Sequence, residues 1–399
     1  MPRFSSPVGN GLIAVDRWTE PSQAYFLTHL HSDHTQGLSV HWSRGPLFCS
    51  PITARLLLCK FKGFDASLIR DLEVGSTHTL SLISPVTGGE VKVRVTPIDA
   101  NHCPGSVMYL FQGELGCVLY TGDFRWELTS ERANMSKSTL LDALNGEKVD
   151  ILYLDNTYCN PCFSFPSRKD AAQQVVDIIE KHPDHEVIIG IDTLGKEHLL
   201  LHISESLKTK IWVWPERLEI MDLLGLDELF TTDTSQTRIR AVPRYSLTQN
   251  NLESLNTIFP TIAIMPTGLP WSQNSPEKGA YTVPYTAHSS FLELEEFMKV
   301  IRPSIIVGIV SSSYCLIDPK HHFGEMCGVD NCSTKGHNLF FKVMKGSHGF
   351  KVRKKEGKTK VLASVQRSGV NIVRKERRGV KIEECESDFE VPIGSDCSS

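Results

Sequence analysis

The chain has 399 residues, 40 % hydrophobic and 22 % charged, which is ordinary globular composition and enough length for two domains or one large domain with an insertion. No apolar run nears the roughly 18 residues of a membrane span, and neither a membrane nor a mainly disordered class is needed. The net charge of −4 conceals an asymmetry: residues 342–381 carry fourteen Lys or Arg against two acids, residues from Glu383 onward carry six acids and no base, and residues 1–341 are left at −10.

Met1 to Asn10 contains Pro, Ser and Gly but no apolar stretch, and does not read as a secretory signal. The eleven cysteines are odd in number and follow no repeating framework, so reduced thiols and an intracellular address are expected. Short apolar segments then alternate with polar loops at Leu12–Val15, Ala24–Leu27, Val91–Pro97, Val107–Phe111 and Cys117–Tyr120, which predicts a sheet-rich layer. From Asp150 strands alternate with helices. Ile151–Leu154 is followed by a helix capped by Ser167, with Ala171, Val175, Ile178 and Ile179 on one face and a stop at Pro183. Strands at Glu186–Ile191, Thr261–Met265 and Ile305–Val310 extend the alternation, as expected of βαβ units in a parallel sheet. Ser290 and Glu293 form a capping-box pattern opening a helix directly after His288. Beyond about Gly336 periodicity fades, and residues 336–399 are expected to be a disordered tail, basic and then acidic.

The strongest chemical signal is Thr28-His29-Leu30-His31-Ser32-Asp33-His34, which follows an apolar strand. In extended backbone His29 and His31 project the same way and can reach one ion, while Asp33 and His34 can serve a second. This mixture of nitrogen and carboxylate ligands suits zinc and leaves positions for water. A solvated loop is the bland alternative, but clustered histidines repel one another when charged and are useful mainly around a cation. His102 and Asp123 stand at further strand ends beside Gly105 and Gly122, where glycine permits close backbone approach. A satisfied core histidine and an ordinary turn aspartate are their alternatives; the first cluster makes ligation the better reading.

In order along the chain, Asp16, the His29–His34 cluster, His102 and Asp123 resemble the motifs of the metallo-β-lactamase superfamily. Asp155 in Tyr-Leu-Asp-Asn-Thr, Asp192-Thr-Leu-Gly-Lys196-Glu197, and His288 in Tyr-Thr-Ala-His-Ser-Ser resemble the three further motifs of its β-CASP branch, which acts on nucleic acids. The wording around them is similar to the Pso2/Artemis/Apollo group of DNA cross-link repair nucleases, over about residues 10–315. The resemblance implies an α/β fold, a four-layer αββα sandwich. Residues 1–159 would be its first part, 160–280 an inserted β-CASP domain and 281–335 the return segment. It also implies a zinc-dependent 5′-to-3′ DNA exonuclease of the nucleus, acting on 5′-phosphorylated ends in interstrand cross-link repair and at telomeres, alone or with repair or telomere proteins. One departure is Ala287, where relatives commonly carry an acid.

On this reading His29, His31 and His102 bind one zinc ion, Asp33 and His34 a second, and Asp123 bridges. His288 ligates the second ion or contacts the phosphate, with Asp33, Asp123 and His288 the catalytic set. Asp16 and Asp155 support the ligands, Asp16 by accepting a histidine ring proton. Thr157, Thr193, Lys196 and Ser289 are candidates for a terminal-phosphate cradle; for Lys196 the alternative is an internal ion pair with Glu197 or another acid. The basic runs Lys351–Lys355 and Arg374–Arg378 are candidates for DNA contact or a nuclear address. His321, His322, Cys327, Cys332 and His337 have a weak, non-standard zinc-knuckle spacing. Competing readings are an RNA-processing endonuclease of the same superfamily, a small-molecule metallo-hydrolase, and a scaffold without metals. The roughly 160 residues between Asp123 and His288 disfavour the second, and the filled ligand positions the third. A monomer is the default expectation.

Overall fold

The computed structural model describes residues 11–269, 272, 274–310 and 317–327. The expected disordered tail and its basic runs, together with Cys332 and His337, lie outside these residues. Strands β1 (Ile13–Val15), β2 (Ala24–Phe26) and β3 (Leu47–Cys49), helix α1 (Pro51–Lys60) and strand β4 (Ile69–Asp71) come first, and the four strands form one parallel sheet in the order β1-β2-β3-β4. Next come β5 (His78–Ile83), β6 (Glu90–Asp99), β7 (Val107–Gly113), β8 (Val118–Tyr120), α2 (Glu131–Leu144) and β9 (Ile151–Leu154).

Period-two alternation builds the layers. In β7, Val107, Tyr109 and Phe111 face the first sheet and pack with Ile13, Val15, Phe26 and Phe48. Met108 and Leu110 face the other way, under Leu140 of α2 and the helix that follows His288. Successive side chains of a strand point to opposite faces, so a strand buried on both sides joins two cores at once. The outer face of the first sheet, with Tyr25, Leu27, Leu47 and Cys49, is covered by Leu56 and Leu57 of α1. The result is helix, sheet, sheet, helix: a mixed α/β sandwich of the metallo-β-lactamase kind.

The second unit of structure begins at α3 (Arg168–Glu180) and runs through β10 (Glu186–Ile191), α4 (Glu197–Leu207), β11 (Ile211–Trp212), α5 (Pro215–Leu223), β12 (Phe230–Thr231), β13 (Ile239–Pro243), α6 (Gln249–Asn256), β14 (Thr261–Pro266) and β15 (Ala280–Val283). Its strands form a parallel sheet ordered β12-β11-β13-β10-β14-β15. Helix α3 forms where its apolar spacing puts Ala171, Val175 and Ile179 on one buried stripe, and the Ser167 side chain caps it by accepting from Asp170 N. Because β15 pairs with β14, this sheet continues to Val283. A four-residue strand carries no mark of its partner.

The chain then enters α7 (Phe291–Ile301), with the reciprocal Ser290–Glu293 capping box in place, and β16 (Ile305–Gly308), followed by the short α8 (Lys320–Phe323). Strand β16 lies parallel to β9 with Ile305 opposite Ile151, so two neighbours in one sheet, ordered β16-β9-β8-β7-β6-β5, come from distant parts of the chain. Buried Arg125 ties distant segments together. Its guanidinium donates to Pro166 O (2.9 Å), just before α3, to Thr286 O (2.9 Å), just after β15, and to Glu293 of α7 (3.3 Å). No described helix is long and apolar enough to cross a membrane, and the seven described cysteines are free thiols.

Candidate metal centre

Six residues from four separate chain segments converge at one edge of the sandwich. The loop after β2 brings His29, His31 and His34, the β6–β7 turn His102, the end of β8 Asp123, and the segment before α7 His288. Backbone strain accompanies the convergence: Asp16 (φ 52°), Asn101 (φ 53°) and Lys196 (φ 64°) are non-glycine residues in the left-handed region, a conformation retained where surrounding structure enforces it. Gly122 also has φ 52°, and a Cβ there would lie 2.8 Å from Thr28 Cβ. Glycine at 122 thus lets the Asp123 strand end approach the histidine loop.

The hydrogen bonds fix the imidazole tautomers. His31 Nε2 lies 3.0 Å from Leu194 O, and His102 Nδ1 lies 2.9 Å from Ala287 O. A carbonyl only accepts, so those nitrogens carry the ring protons. The Thr28 hydroxyl donates to Asp16 Oδ2 (2.7 Å) and therefore accepts from His29 Nδ1 (3.1 Å). The remaining nitrogens are bare lone pairs, and they face one another: His31 Nδ1 is 2.9 Å from His29 Nε2 and 3.1 Å from His102 Nε2. Burial holds His29, His31 and His102 below the usual histidine pKa, helped for His29 by His34 and for His102 by His288. Three neutral acceptors converging at these distances repel unless a cation sits among them, so the donor set fits a metal ion.

Asp123 lies beside this trio and reaches the remaining ligand candidates. Its Oδ1 is 3.3 Å from His34 Nε2, while Oδ2 is 3.6 Å from His29 Nε2, 3.7 Å from His102 Nε2 and 4.0 Å from His288 Nε2. Asp16 Oδ2 accepts from His34 Nδ1 (2.7 Å) and Asp155 Oδ2 from His288 Nδ1 (2.8 Å), so each ring turns its Nε2 inward. Burial works against the charged forms, but Asp123 and Asp16 outweigh it for His34, whose pKa is held well above the usual value. Burial likewise opposes protonation of His288, yet Asp155 and Asp123 raise its pKa to about 9. Burial also opposes ionisation of Asp123, but His34 and His288 keep its carboxyl well below the usual range. Two groups of potential ligands, His29 with His34 and Asp123, and His102 with Asp123 and His288, share Asp123. Asp33 differs from the rest: its carboxylate is 75 % exposed and stands 3.7 Å from His34 Nε2, on the open side.

Residues 225–313 match the family described as DNA repair metallo-beta-lactamase. The chain is 46 % identical over 307 residues to 5′ exonuclease Apollo of Gallus gallus, covering 76 % of this chain and 63 % of that protein. It is 44 % identical over 307 residues to 5′ exonuclease Apollo of Mus musculus, covering 76 % and 54 %. It is 35 % identical over 314 residues to the DNA cross-link repair protein SNM1 of Arabidopsis thaliana, covering 72 % and 61 %. Over these matched residues the chain is similar to the Pso2/Artemis/Apollo group of metallo-β-lactamase proteins. It spans between about half and under two thirds of the length of these relatives.

At Ala287, where the group commonly carries an acid, the backbone carbonyl orients His102, and Asp155 orients His288. The phosphate-cradle candidates separate. Ser289 is only 2 % exposed, and its hydroxyl donates to Phe124 O (3.2 Å) and accepts from Trp126 N (3.0 Å). Its hydroxyl is thus committed to the backbone, which corrects the expectation of a phosphate contact. Lys196 pairs with Asp192 (2.5 Å), not with Glu197, which is held by buried Arg217 (2.8 Å). Thr157 donates its hydroxyl to Asp155 Oδ1 (2.6 Å), and Thr193 is exposed. His321, His322 and Cys327 enter no ligand group among the described residues.

Several contributors escaped the sequence reading. Leu194 O and Ala287 O are backbone acceptors and carry no side-chain signature. Arg217 holds Gly195 O (2.8 Å) and Thr193 O, and so buttresses the turn that presents Leu194 O. Lys60 Nζ donates to Leu30 O (3.1 Å) and Thr35 Oγ1 (3.3 Å), pinning the histidine loop from α1. Cys103 lies within ligand distance of His29, His31 and His102, but burial, with Glu197 and Asp123, pushes its thiol pKa well up and keeps it protonated. Its position next to His102 was the one available signal.

Proposed function

We propose that this chain is a zinc-dependent nuclease that shortens DNA 5′ to 3′ from 5′-phosphorylated ends, in cross-link repair and end processing in the nucleus, telomere ends included. The observation that carries this reading is the set of bare ring nitrogens of His29, His31 and His102 facing one another beside Asp123. Its relatives, 5′ exonuclease Apollo and DNA cross-link repair protein SNM1, suggest the substrate class and polarity.

His29, His31 and His102 would hold one zinc ion, and Asp33, His34 and His288 a second, with Asp123 common to both. Bound there, the ions supply Lewis acidity that activates water and neutralises charge on the phosphoryl oxygens. Asp16 and Asp155 hold the Nδ1 protons of His34 and His288, and the Leu194 and Ala287 carbonyls hold ring protons of His31 and His102. Ligand geometry is therefore set before substrate arrives. His288, 23 % exposed in its side chain, stands where its ring can meet a phosphate oxygen. Lys196 and Thr193 are the remaining candidates for a terminal phosphate, at the loop that touches His31. The division into a sandwich of residues 1–159 and 281–335 with an insertion between is part of the same proposal, as are monomeric action and recruitment by repair or telomere proteins.

Single-stranded DNA labelled at its 3′ end, with and without a 5′-phosphate, tests the reading. Wild type should shorten the phosphorylated strand from its 5′ side, and Asp123→Ala or chelator treatment should abolish this. Undiminished digestion by Asp123→Ala would overturn it.

A further inference from the structure

Ligands of open α/β sheets bind beyond the carboxyl ends of the strands. In the inserted sheet that edge carries the loop after β10, whose Leu194 O meets His31, and beside it the turn after β13. Pro243, the last residue of β13, is in register with Ile191 of β10, so Arg244 and Tyr245 emerge next to Asp192 and Thr193. Arg244 Nη1 reaches Asp192 Oδ1 at 3.5 Å, while Lys196 holds the other carboxylate oxygen. Two cations share one carboxylate, leaving a net positive rim. Leu194 is only two residues beyond Asp192, at most about 7 Å of chain, so this rim borders the ligand cluster directly.

Tyr245 is 82 % exposed, against 63 % for Phe259, which precedes β14 at the opposite edge of the same sheet. An aromatic ring left in water on a loose loop would carry little meaning. This one stands on a rigid turn. Ser246 Oγ donates to Pro243 O (2.7 Å), Asn251 Nδ2 donates to Ser246 O (2.8 Å), and Leu247 is buried. Leu247 occupies the space above Gly190 of β10, where an added Cβ would lie 2.5 Å from Leu247 Cδ1. Glycine at 190 therefore seats the turn against the sheet. The ring is fixed at its base and open on its faces, next to an Arg whose side chain is 58 % exposed.

We propose that Arg244 and Tyr245 form a stacking platform for the substrate strand: the phenol ring stacks on one base near the scissile end and the guanidinium contacts an adjoining phosphate. Such platforms tolerate any base sequence, because every base has a π-face. The proposal rests on the nuclease reading above. Arg244 and Tyr245 hold the strand in place and make no contact with the reacting atoms.

The test uses steady-state digestion of 5′-phosphorylated single strands by metal-loaded wild type, Tyr245→Ala, Tyr245→Phe and Arg244→Ala, with one abasic site moved along the first nucleotides. Tyr245→Ala should raise KM about tenfold with kcat little changed, and Tyr245→Phe should behave as wild type. An abasic site at the stacked position should raise the wild-type KM but add nothing in Tyr245→Ala. Arg244→Ala should weaken the salt dependence of DNA binding by about one unit of slope. Equal losses in Tyr245→Ala and Tyr245→Phe, or abasic penalties that persist unchanged in Tyr245→Ala, would overturn the platform while leaving the nuclease reading intact. Wild type that neither binds nor cuts the intact strand would remove both.

Discussion

Asp155 Oδ2 lies 2.8 Å from His288 Nδ1 across 133 residues of sequence. The same carboxylate accepts from Thr157 N (3.0 Å), Thr157 Oγ1 (2.6 Å) and Phe124 N (3.3 Å). One side chain at the end of β9 therefore fixes both the last ligand candidate and the backbone beside Asp123. Asp155→Asn should lower metal affinity by about 10- to 100-fold, measured by competition with a chromophoric chelator. An unchanged affinity would show that His288 is held by other means.

The pKa of His288, raised to about 9 without metal, adds a pH dependence. Metal must displace the proton, so affinity should rise with pH through neutrality and level off above about 9. Calorimetric titration at several pH values in buffers of different ionisation enthalpy would reveal the released protons. Affinity independent of pH between 6.5 and 9 would contradict this assignment.

Three facing lone pairs make the metal-free centre repulsive, so removal of metal should destabilise the fold. At a free ion concentration a thousandfold above Kd, binding contributes about 4 kcal/mol, which appears as a Tm lowered by several degrees on chelation and restored by zinc. His102→Ala should abolish most of the response. A Tm indifferent to chelator would count against a resident ion.

Lys60 tethers the histidine loop to α1 through Leu30 O and Thr35 Oγ1. Lys60→Met keeps the aliphatic stem but leaves both acceptors without this donor, at a cost of about 1–3 kcal/mol. Denaturant unfolding measures that cost, and metal affinity should fall with it. Lys60→Arg should recover part of both.

Glu127 lies between Arg168 (3.1 Å) and Arg125 (3.9 Å). Burial opposes its charge, but Arg168 and Arg125 together hold its pKa below the ordinary 4.5. A carboxylate with a depressed folded-state pKa stabilises the fold fully above its unfolded value and loses that contribution as pH falls through the folded one. The Tm difference between wild type and Glu127→Gln should therefore be largest near neutrality and shrink below about pH 4.5. A difference that grows on acidification would reverse the sign argued here.

The ligand candidates were legible in the sequence because coordination chemistry requires particular side chains at short spacing. His29, His31 and His34 share one loop, and glycines mark the turns at His102 and Asp123. The strands starting at Val107 and Ile151, the capped helix after Ser167 and the capping box before α7 were equally local, set by period-two and helical patterning and by side-chain caps. What the tertiary structure decided is which groups meet across long stretches of chain. The carbonyls of Leu194 and Ala287 fix two tautomers, although neither residue type signals a metal site. Ser289, adjacent to the motif histidine, turns inward to the backbone, and Lys196 pairs with Asp192 instead of its neighbour. Arg125 joins Pro166, before α3, to Thr286, after β15. Backbone acceptors and long-range ion pairs depend on packing geometry rather than on residue type, and that geometry exists only once the two sheets and the insertion have closed around the site.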